Sequence, residues 1–346
     1  MIDTNSKIII EYVKDNPYLS SSKIHEGVGI DVKLITIKRL LSNLVVQNLL
    51  DTHGKGRATK YTLSKSYSII YPINVDTYFN KDVDDRTIKH FNIELIQAVL
   101  SDLEVFNTNE LNYLKDLQKK YIDNISTLSN TLYKKDLERL GIDLSWKSSQ
   151  IEGNTYSLLE TEQLLKESIE AKGKHKGEAV MLLNHKVALE YILDSPNYFL
   201  KIDLKKIIEL HSLLVQDLDV KKGVRTRLIG ITGTNYKPLD NEHQIKEALE
   251  ATCNLVNLKE NIFEKAFIVL ILLSYIQAFE DGNKRTARLM SNAVLISNNY
   301  CPMSFRTVDS IDYKKAMLIF YEQNNISVFK KIFIDQYEFA VNTYFQ

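Results

Sequence analysis

Two apolar runs with helical spacing, residues 266–276 and 287–296, are separated by the polar stretch QAFEDGNKRTAR at 277–288. That arrangement confines this part of the chain to a helix, a turn and a second helix, with charge set between two buried segments. Gly282 admits a backbone conformation closed to other residues. The amides after it open the second helix, where unpaired N–H groups and the helix dipole favour an anion. Asp281 offers a hard oxygen to a divalent cation, and Arg285 and Arg288, three apart, share a helix face from which they can grip phosphate oxygens. A solvated charged turn would explain any one of these residues. An acid, a glycine, an asparagine and two spaced arginines together point to a phosphate-handling loop.

Helical spacing also governs 205–214, 240–258, 311–324 and 328–342, and a long periodicity at 107–140 is broken by polar residues. The expected fold class is therefore mainly α. With five Pro and twelve Gly among 346 residues, and no repeat or low-complexity stretch, long disordered linkers are not expected. The length suits two or three domains whose cores need no staples. Cys253 and Cys301 form neither a disulfide framework nor a metal-ligand pattern, which points to a reducing cytoplasm. The polar start at 3–7 and the lack of a long uncharged apolar run argue against secretion and membrane spanning. Lys plus Arg equals Asp plus Glu at 44 each, so the whole chain gives no polyanion-binding signal.

The balance is uneven, because residues 1–65 hold ten Lys and Arg against six Asp and Glu. Their pattern gives helices at 6–14, 21–26 and 32–48, the last facing a core with Leu34, Ile37, Leu40, Leu41, Leu44 and Val45. Two strand-like ends then flank a Gly-Lys-Gly-Arg tip at 54–57. This segment resembles a winged helix-turn-helix domain. The resemblance implies that its third helix enters a major groove of double-stranded DNA with Lys33, Thr36, Lys38, Arg39 and Asn43, while Lys55, Arg57 and Lys60 on the wing meet phosphates. Winged helices also serve as protein-docking modules, and an excess of four charges is modest for DNA.

The 277–288 stretch resembles the Fic family motif His-Pro-Phe-x-Asp/Glu-Gly-Asn-Gly-Arg-x-x-Arg, with Phe279, Asp281, Gly282, Asn283, Arg285 and Arg288 in place. Gln277 stands for the His, Ala278 for the Pro and Lys284 for the third small residue; the paired change at 277 and 278 reads as divergence. The resemblance implies an all-helical Fic (Fido) fold with a short β-hairpin flap, preceded by the small winged-helix domain. It implies ATP as ligand, Asp281 as the Mg²⁺ ligand, and Gly282, Asn283, Lys284, Arg285 and Arg288 on phosphates. Tyr313 falls where family members can pack an aromatic on adenine.

A distant segment, SSQIEGN at 148–154, resembles the inhibitory motif that many Fic proteins carry over the nucleotide site. The resemblance assigns Ser148, Glu152 and Gly153 to it, with Glu152 pairing Arg288 and so filling an anion's place. Ser157 and Glu160 read as a capping box that starts the next helix. Residues 222–239 alternate, turn at Gly and Asn, and end at Pro238, which predicts a hairpin. Its position matches the family flap, so Ile231, Thr232, Gly233 and Thr234 are expected to hold a protein target by strand addition. The expected division is 1–66 winged helix, 67–147 helical connecting region of the Fic half, and 148–346 inhibitory helix and Fic core.

In the family, the motif His takes a proton from the target hydroxyl. Gln277 cannot, and none of the histidines lies in the loop; His185 and His211 read as core or interface residues on amphipathic helices. Losing a general base costs about a hundred- to ten-thousand-fold in rate. Three readings follow. The first is a protein adenylyltransferase acting on a Ser, Thr or Tyr hydroxyl, restrained by Glu152 and weakened at Gln277. The second is a non-catalytic, nucleotide-sensing, DNA-binding transcriptional regulator. The third, suggested by the Asn283-Lys284-Arg285 run, is a Doc-like protein kinase, although Doc-like loops lack a second arginine. Homo-oligomerisation is left open.

Overall fold

The computed structural model describes residues 2–346 and, for Arg57, the backbone alone. Helix α1 (Thr4–Asp15) starts where Asp3 accepts the Ser6 amide, and α2 (Ser21–Gly27) where Ser20 accepts the Lys23 amide. Strand β1 (Leu19–Ser20) lies between them, and α3 (Leu34–Val46) follows. Ile37, Leu41 and Leu44 of α3 are buried, while Leu34, Leu40 and Val45 are half-buried. Strands β2 (Leu50–His53) and β3 (Lys60–Leu63) pair antiparallel, Leu50 opposite Leu63 and His53 opposite Lys60. With β1 they form a sheet of order β1-β3-β2.

Beyond short helical turns at 67–102, helices α4 (Thr108–Thr127) and α5 (Asn130–Ile151) resolve the long periodicity of 107–140 into two elements. Asn107 and Glu110 form a capping box for α4, and Ser129 caps α5. Then come α6 (Leu158–Glu167), opened by the Ser157 and Glu160 capping box, α7 (Lys176–Asp194) and α8 (Leu204–Leu214). The body is completed by α9 (Glu242–Leu258), α10 (Ile262–Ile276), α11 (Asn283–Ser297), α12 (Ser310–Gln323) and α13 (Ser327–Thr343).

Helix α10 positions everything else. It is buried continuously from Ala266 to Ile276, and a helix apolar on all sides is stable only when other elements enclose it. α11 packs back along it, α9 covers another side, and α8, α7 and α5 reach α11. One continuous core runs from Ile9 to Phe345, so the N-terminal helices share apolar packing with the body. At the seam the Ile326 amide donates to the Ile69 carbonyl at 2.7 Å and Asn325 donates to the Tyr71 carbonyl at 2.8 Å. Phe91 of the connecting region stacks on Tyr275 of α10 at 4.9 Å. No helix among the described residues is long and apolar enough to cross a membrane.

The expected hairpin at 222–239 is corrected. Among the described residues the only sheet is the three-stranded one near the N-terminus, and this segment has no ladder. Its two arms are held instead by the buried Arg225 guanidinium, which donates to the Arg227 carbonyl at 2.7 Å and to the Leu239 carbonyl. A side chain thus does what a backbone ladder would have done, and the segment stays irregular.

Candidate nucleotide site

The loop between α10 and α11 is set by two left-handed residues. Gln277 ends α10 at φ 52°, and Gly282 precedes α11 at φ 80°. Gln277 is not a glycine, so its conformation costs energy and must be held from outside. Arg225 Nε donates to its carbonyl at 2.6 Å, and its own side-chain amide donates to the Ser274 carbonyl at 2.6 Å and to the Tyr321 hydroxyl at 3.2 Å. The Ser274 contact fixes which end of the amide is nitrogen, since a carbonyl only accepts. Both amide hydrogens are therefore committed away from any incoming hydroxyl.

Asn283 closes the turn. Its Oδ1 accepts the Phe279 amide at 2.8 Å and its Nδ2 donates to the Phe279 carbonyl at 2.7 Å. The sequence expectation that this side chain cradles phosphate is thereby refined: it shapes the loop, and what it leaves for an anion is its backbone amide. Gly282 provides no side-chain cap, and the first internal amide bond of α11 runs from Thr286 to the Gly282 carbonyl. Among the described residues the amides of Asn283, Lys284 and Arg285 have no acceptor, which leaves an open anion site at the positive end of a helix.

His211 supports the loop from α8. Its ring stacks on Phe279 with centroids 3.7 Å apart and planes 7° apart, and its Nε2 donates to the Asp281 carbonyl at 3.0 Å. Burial drives its pKa down to about 4, against the opposing effect of the Asp281 contact, so the ring is neutral at pH 7. Asp281 accepts the Gly282 amide at 2.6 Å and Arg285 Nη2 at 3.1 Å, with its side chain about half exposed at 55%. That carboxylate can serve as one ligand of a cation, and the described residues contain no cluster of three or more His, Cys, Asp or Glu that could form a complete protein cage.

The segment at 148–154 meets this loop. Helix α5 ends at Glu152 because Gly153 turns left-handed at φ 101°. Glu152 then stands between two cations: Arg288 Nη2 lies 3.0 Å from Oε1 and Lys284 Nζ 2.9 Å from Oε2. Arg288 also donates from Nε to Ser148 Oγ at 2.9 Å and from Nη2 to the Ser148 carbonyl at 2.8 Å. Burial would raise the Glu152 pKa, but Arg288 and then Lys284 outweigh it and bring it to about 2. The carboxylate is ionised and occupies the place of an anion on both side chains.

Tyr313 is corrected. It is fully buried beneath Arg288, whose guanidinium lies 5.1 Å from its ring centroid, and it packs edge-on against Phe329 at 5.0 Å. It is absent from the walls of the nearby cavity, so it acts on Arg288 and offers no face to a base. That cavity, about 350 Å³, is lined by Glu152, Gln277, Glu280, Asp281, Asn283 and Lys284, by Lys314, Met317, Leu318 and Tyr321 of α12, and by 229–232. Ile231 and Thr232 of the expected flap thus reach it. Gly233 and Thr234 lie beyond, where Arg86 donates to the Gly233 carbonyl at 2.9 Å while pairing with the buried Glu322 at 3.1 Å.

Sequence reading missed Arg225, Tyr321 and the supporting role of His211. Their signal is weak because each acts across 44 to 70 residues of chain. Of the residues expected to meet DNA, Lys33, Lys38, Arg39, Asn43, Lys55 and Lys60 are exposed and Thr36 is half-buried. The Arg57 side chain lies outside the described residues.

Residues 201–295 match the Fic/DOC family. Among curated relatives, the protein adenylyltransferase Fic of Drosophila virilis is 29% identical over 168 residues, covering 46% of this chain and 33% of that protein. The protein adenylyltransferase fic-1 of Caenorhabditis elegans is 27% identical over 173 residues, covering 48% and 34%. The chain therefore spans about a third of the length of these relatives. Among solved structures, Fic-1 from C. elegans superposes with a TM-score of 0.59 at 19% identity over 68% of this chain and 71% of that one. A Fic domain containing signaling protein from Bacteroides thetaiotaomicron gives 0.56 at 21% identity over 66% and 94%. The chain has the mainly helical fold of these Fic structures, and the match to the Fic/DOC family lies in residues 201–295.

Proposed function

We propose that this domain binds ATP at the N-terminus of α11 and is built to pass AMP to a Ser, Thr or Tyr hydroxyl of a partner protein, under restraint from Glu152. The observation that supports this reading is the carboxylate of Glu152 held at 3.0 and 2.9 Å by Arg288 and Lys284, cations that on this reading would receive phosphate oxygens. The names of the curated relatives, protein adenylyltransferases, support the class of reaction. The open amides of Asn283, Lys284 and Arg285 would take phosphate oxygens, and Arg288 would take more once Glu152 withdraws. Asp281 would hold Mg²⁺, a cation that uses one or two carboxylates together with substrate phosphates, and that would offset phosphate charge.

Transfer requires the acceptor oxygen to bond to the α-phosphorus as the bond to pyrophosphate breaks, with the hydroxyl proton passing to solvent water in the absence of a side-chain base. Gln277 can orient a hydroxyl through its remaining carbonyl oxygen but cannot take that proton, so transfer is slow by about a hundred- to ten-thousand-fold relative to a site with a base. The free buried thiols Cys253 and Cys301 fit a reducing cytoplasm.

A second reading is favoured by the same amide. With both its hydrogens held by Ser274 and Tyr321, Gln277 is a structural member of the loop, which suits a nucleotide sensor as well as an enzyme. The N-terminal three helices and antiparallel sheet support a winged-helix reader attached to that sensor, with Lys38, Arg39 and Asn43 on the outer face of α3. Mass spectrometry of candidate targets incubated with ATP, Mg²⁺ and the Glu152→Gly variant separates the readings. An AMP adduct supports transfer, a phosphate adduct supports a Doc-like kinase, and ATP binding without any adduct leaves the sensor.

A further inference from the structure

Residues 220–239 contain five cations, Lys221, Lys222, Arg225, Arg227 and Lys237, and no acid. Arg225 is spent inside the protein on three backbone carbonyls. Lys221 lies near Glu242, whose carboxyl is held below its ordinary pKa chiefly by Lys246 and to a lesser extent by Lys221. Lys222, Arg227 and Lys237 are exposed, and among the described residues their side chains have neither an ionic nor a hydrogen-bonded partner. Beside Arg227 stands Leu228, 60% exposed.

The backbone between these cations is also open. From 228 to 232 no amide or carbonyl has a partner among the described residues, and 229–232 form one wall of the cavity that holds Gln277. Unused backbone donors and acceptors, here in an irregular segment that turns at Thr232 and Gly233, can be taken up by the extended backbone of another chain. A nucleic acid could neutralise the cations but has no row of donors for these carbonyls. Of the nearby acids, Asp219 and Asp240 bracket the segment in sequence, Asp84 accepts from Asn235 at the far end, Asp281 is tied to Arg285, and Glu152 to Arg288 and Lys284, while Glu280 faces the same cavity.

We infer that this edge selects an extended, acidic segment of a partner protein, with Asp or Glu on either side of the acceptor hydroxyl and an apolar side chain against Leu228. The inference rests on reading 229–232 as the docking edge. Exposed charge pairs contribute modestly one at a time, about 0.2–1 kcal/mol or up to roughly fivefold each, so three of them give about a tenfold preference at low ionic strength that fades as salt rises.

The test is fluorescence anisotropy with the full chain and no nucleotide, so that it is independent of any transfer activity. The probes are a labelled synthetic peptide with a Thr flanked by glutamates and its counterpart with lysines in those positions. The acidic peptide is expected to bind at least about tenfold tighter at low salt. The double variant Lys222→Glu with Arg227→Glu, which alters exposed side chains without internal partners, is expected to reverse the preference. Equal binding of the two peptides, a preference untouched by the reversal, or displacement of the acidic peptide by a single-stranded DNA oligomer at equal concentration overturns the inference. AMP transfer without acidic preference would sink this proposal alone, and acidic preference without transfer would sink only the activity.

Discussion

Replacing Glu152 by Gln removes a charge while keeping the shape of the side chain that bridges Arg288 and Lys284. The carboxyl falls from an ordinary 4.5 to about 2 in the folded protein, and its side chain is only 14% exposed, so little of its interaction is lost to solvent. At about 1.4 kcal/mol per pH unit, that shift corresponds to roughly 3 kcal/mol of stability at neutral pH. A lowered carboxyl pKa stabilises the fold above the unfolded value and loses its effect as pH falls through the folded one. The difference between wild type and Glu152→Gln is therefore constant above about pH 4.5 and narrows towards pH 2. In urea denaturation at pH 7 the variant should be less stable by about 2–3 kcal/mol. Nucleotide binding should move the other way, because both cations are freed for phosphate; calorimetric titration with ATP and Mg²⁺ should give an affinity about tenfold higher or more, within the usual range of such couplings. A variant as stable as wild type, or one that binds ATP no better, refutes the plug.

Three further outcomes follow from the same geometry. Arg225→Met leaves the carbonyls of Gln277, Arg227 and Leu239 without their donor, and the buried loss should cost roughly 3 kcal/mol, read by denaturation, with faster proteolysis at 222–239. Asn283→Ala breaks both bonds to Phe279 and should cost about 2 kcal/mol and weaken ATP binding, since the loop that aims the amides is no longer closed. His211, depressed to about 4, binds protons more readily unfolded than folded between its unfolded value of 6.5 and pH 4. It therefore contributes a loss of stability as pH falls through that window, of roughly 3 kcal/mol at the lower end, and His211→Phe should flatten the profile there in pH-dependent unfolding.

The motif loop was legible because its constraints are local. Gly282 is required by a positive φ, Ser157 and Glu160 cap a helix three residues apart, and the α10 run is apolar on every side. Glu152 was legible only through resemblance, since nothing in its own neighbourhood tells a helix-end acid that Arg288 waits 136 residues away. The hairpin failed for a physical reason: alternation and turn residues describe a strand's own backbone, whereas a ladder also needs two arms at bonding distance, and Arg225 holds these arms by its side chain. Tyr313 failed because helical spacing places an aromatic on a face without saying what lies on it, and here it is a guanidinium. His211 showed the reverse. Its position on an amphipathic helix suggested a core residue, which it is, and its stacking on Phe279 makes that core contact part of the site.

The most direct measurement is the intact mass of the double variant Gln277→His with Glu152→Gly after incubation with ATP and Mg²⁺. Restoring a base and withdrawing the plug should yield molecules carrying AMP on their own hydroxyls, whereas wild type stays essentially unlabelled over the same time. A double variant that binds ATP yet gains no AMP would contradict the account of this loop as an adenylyl-transfer site.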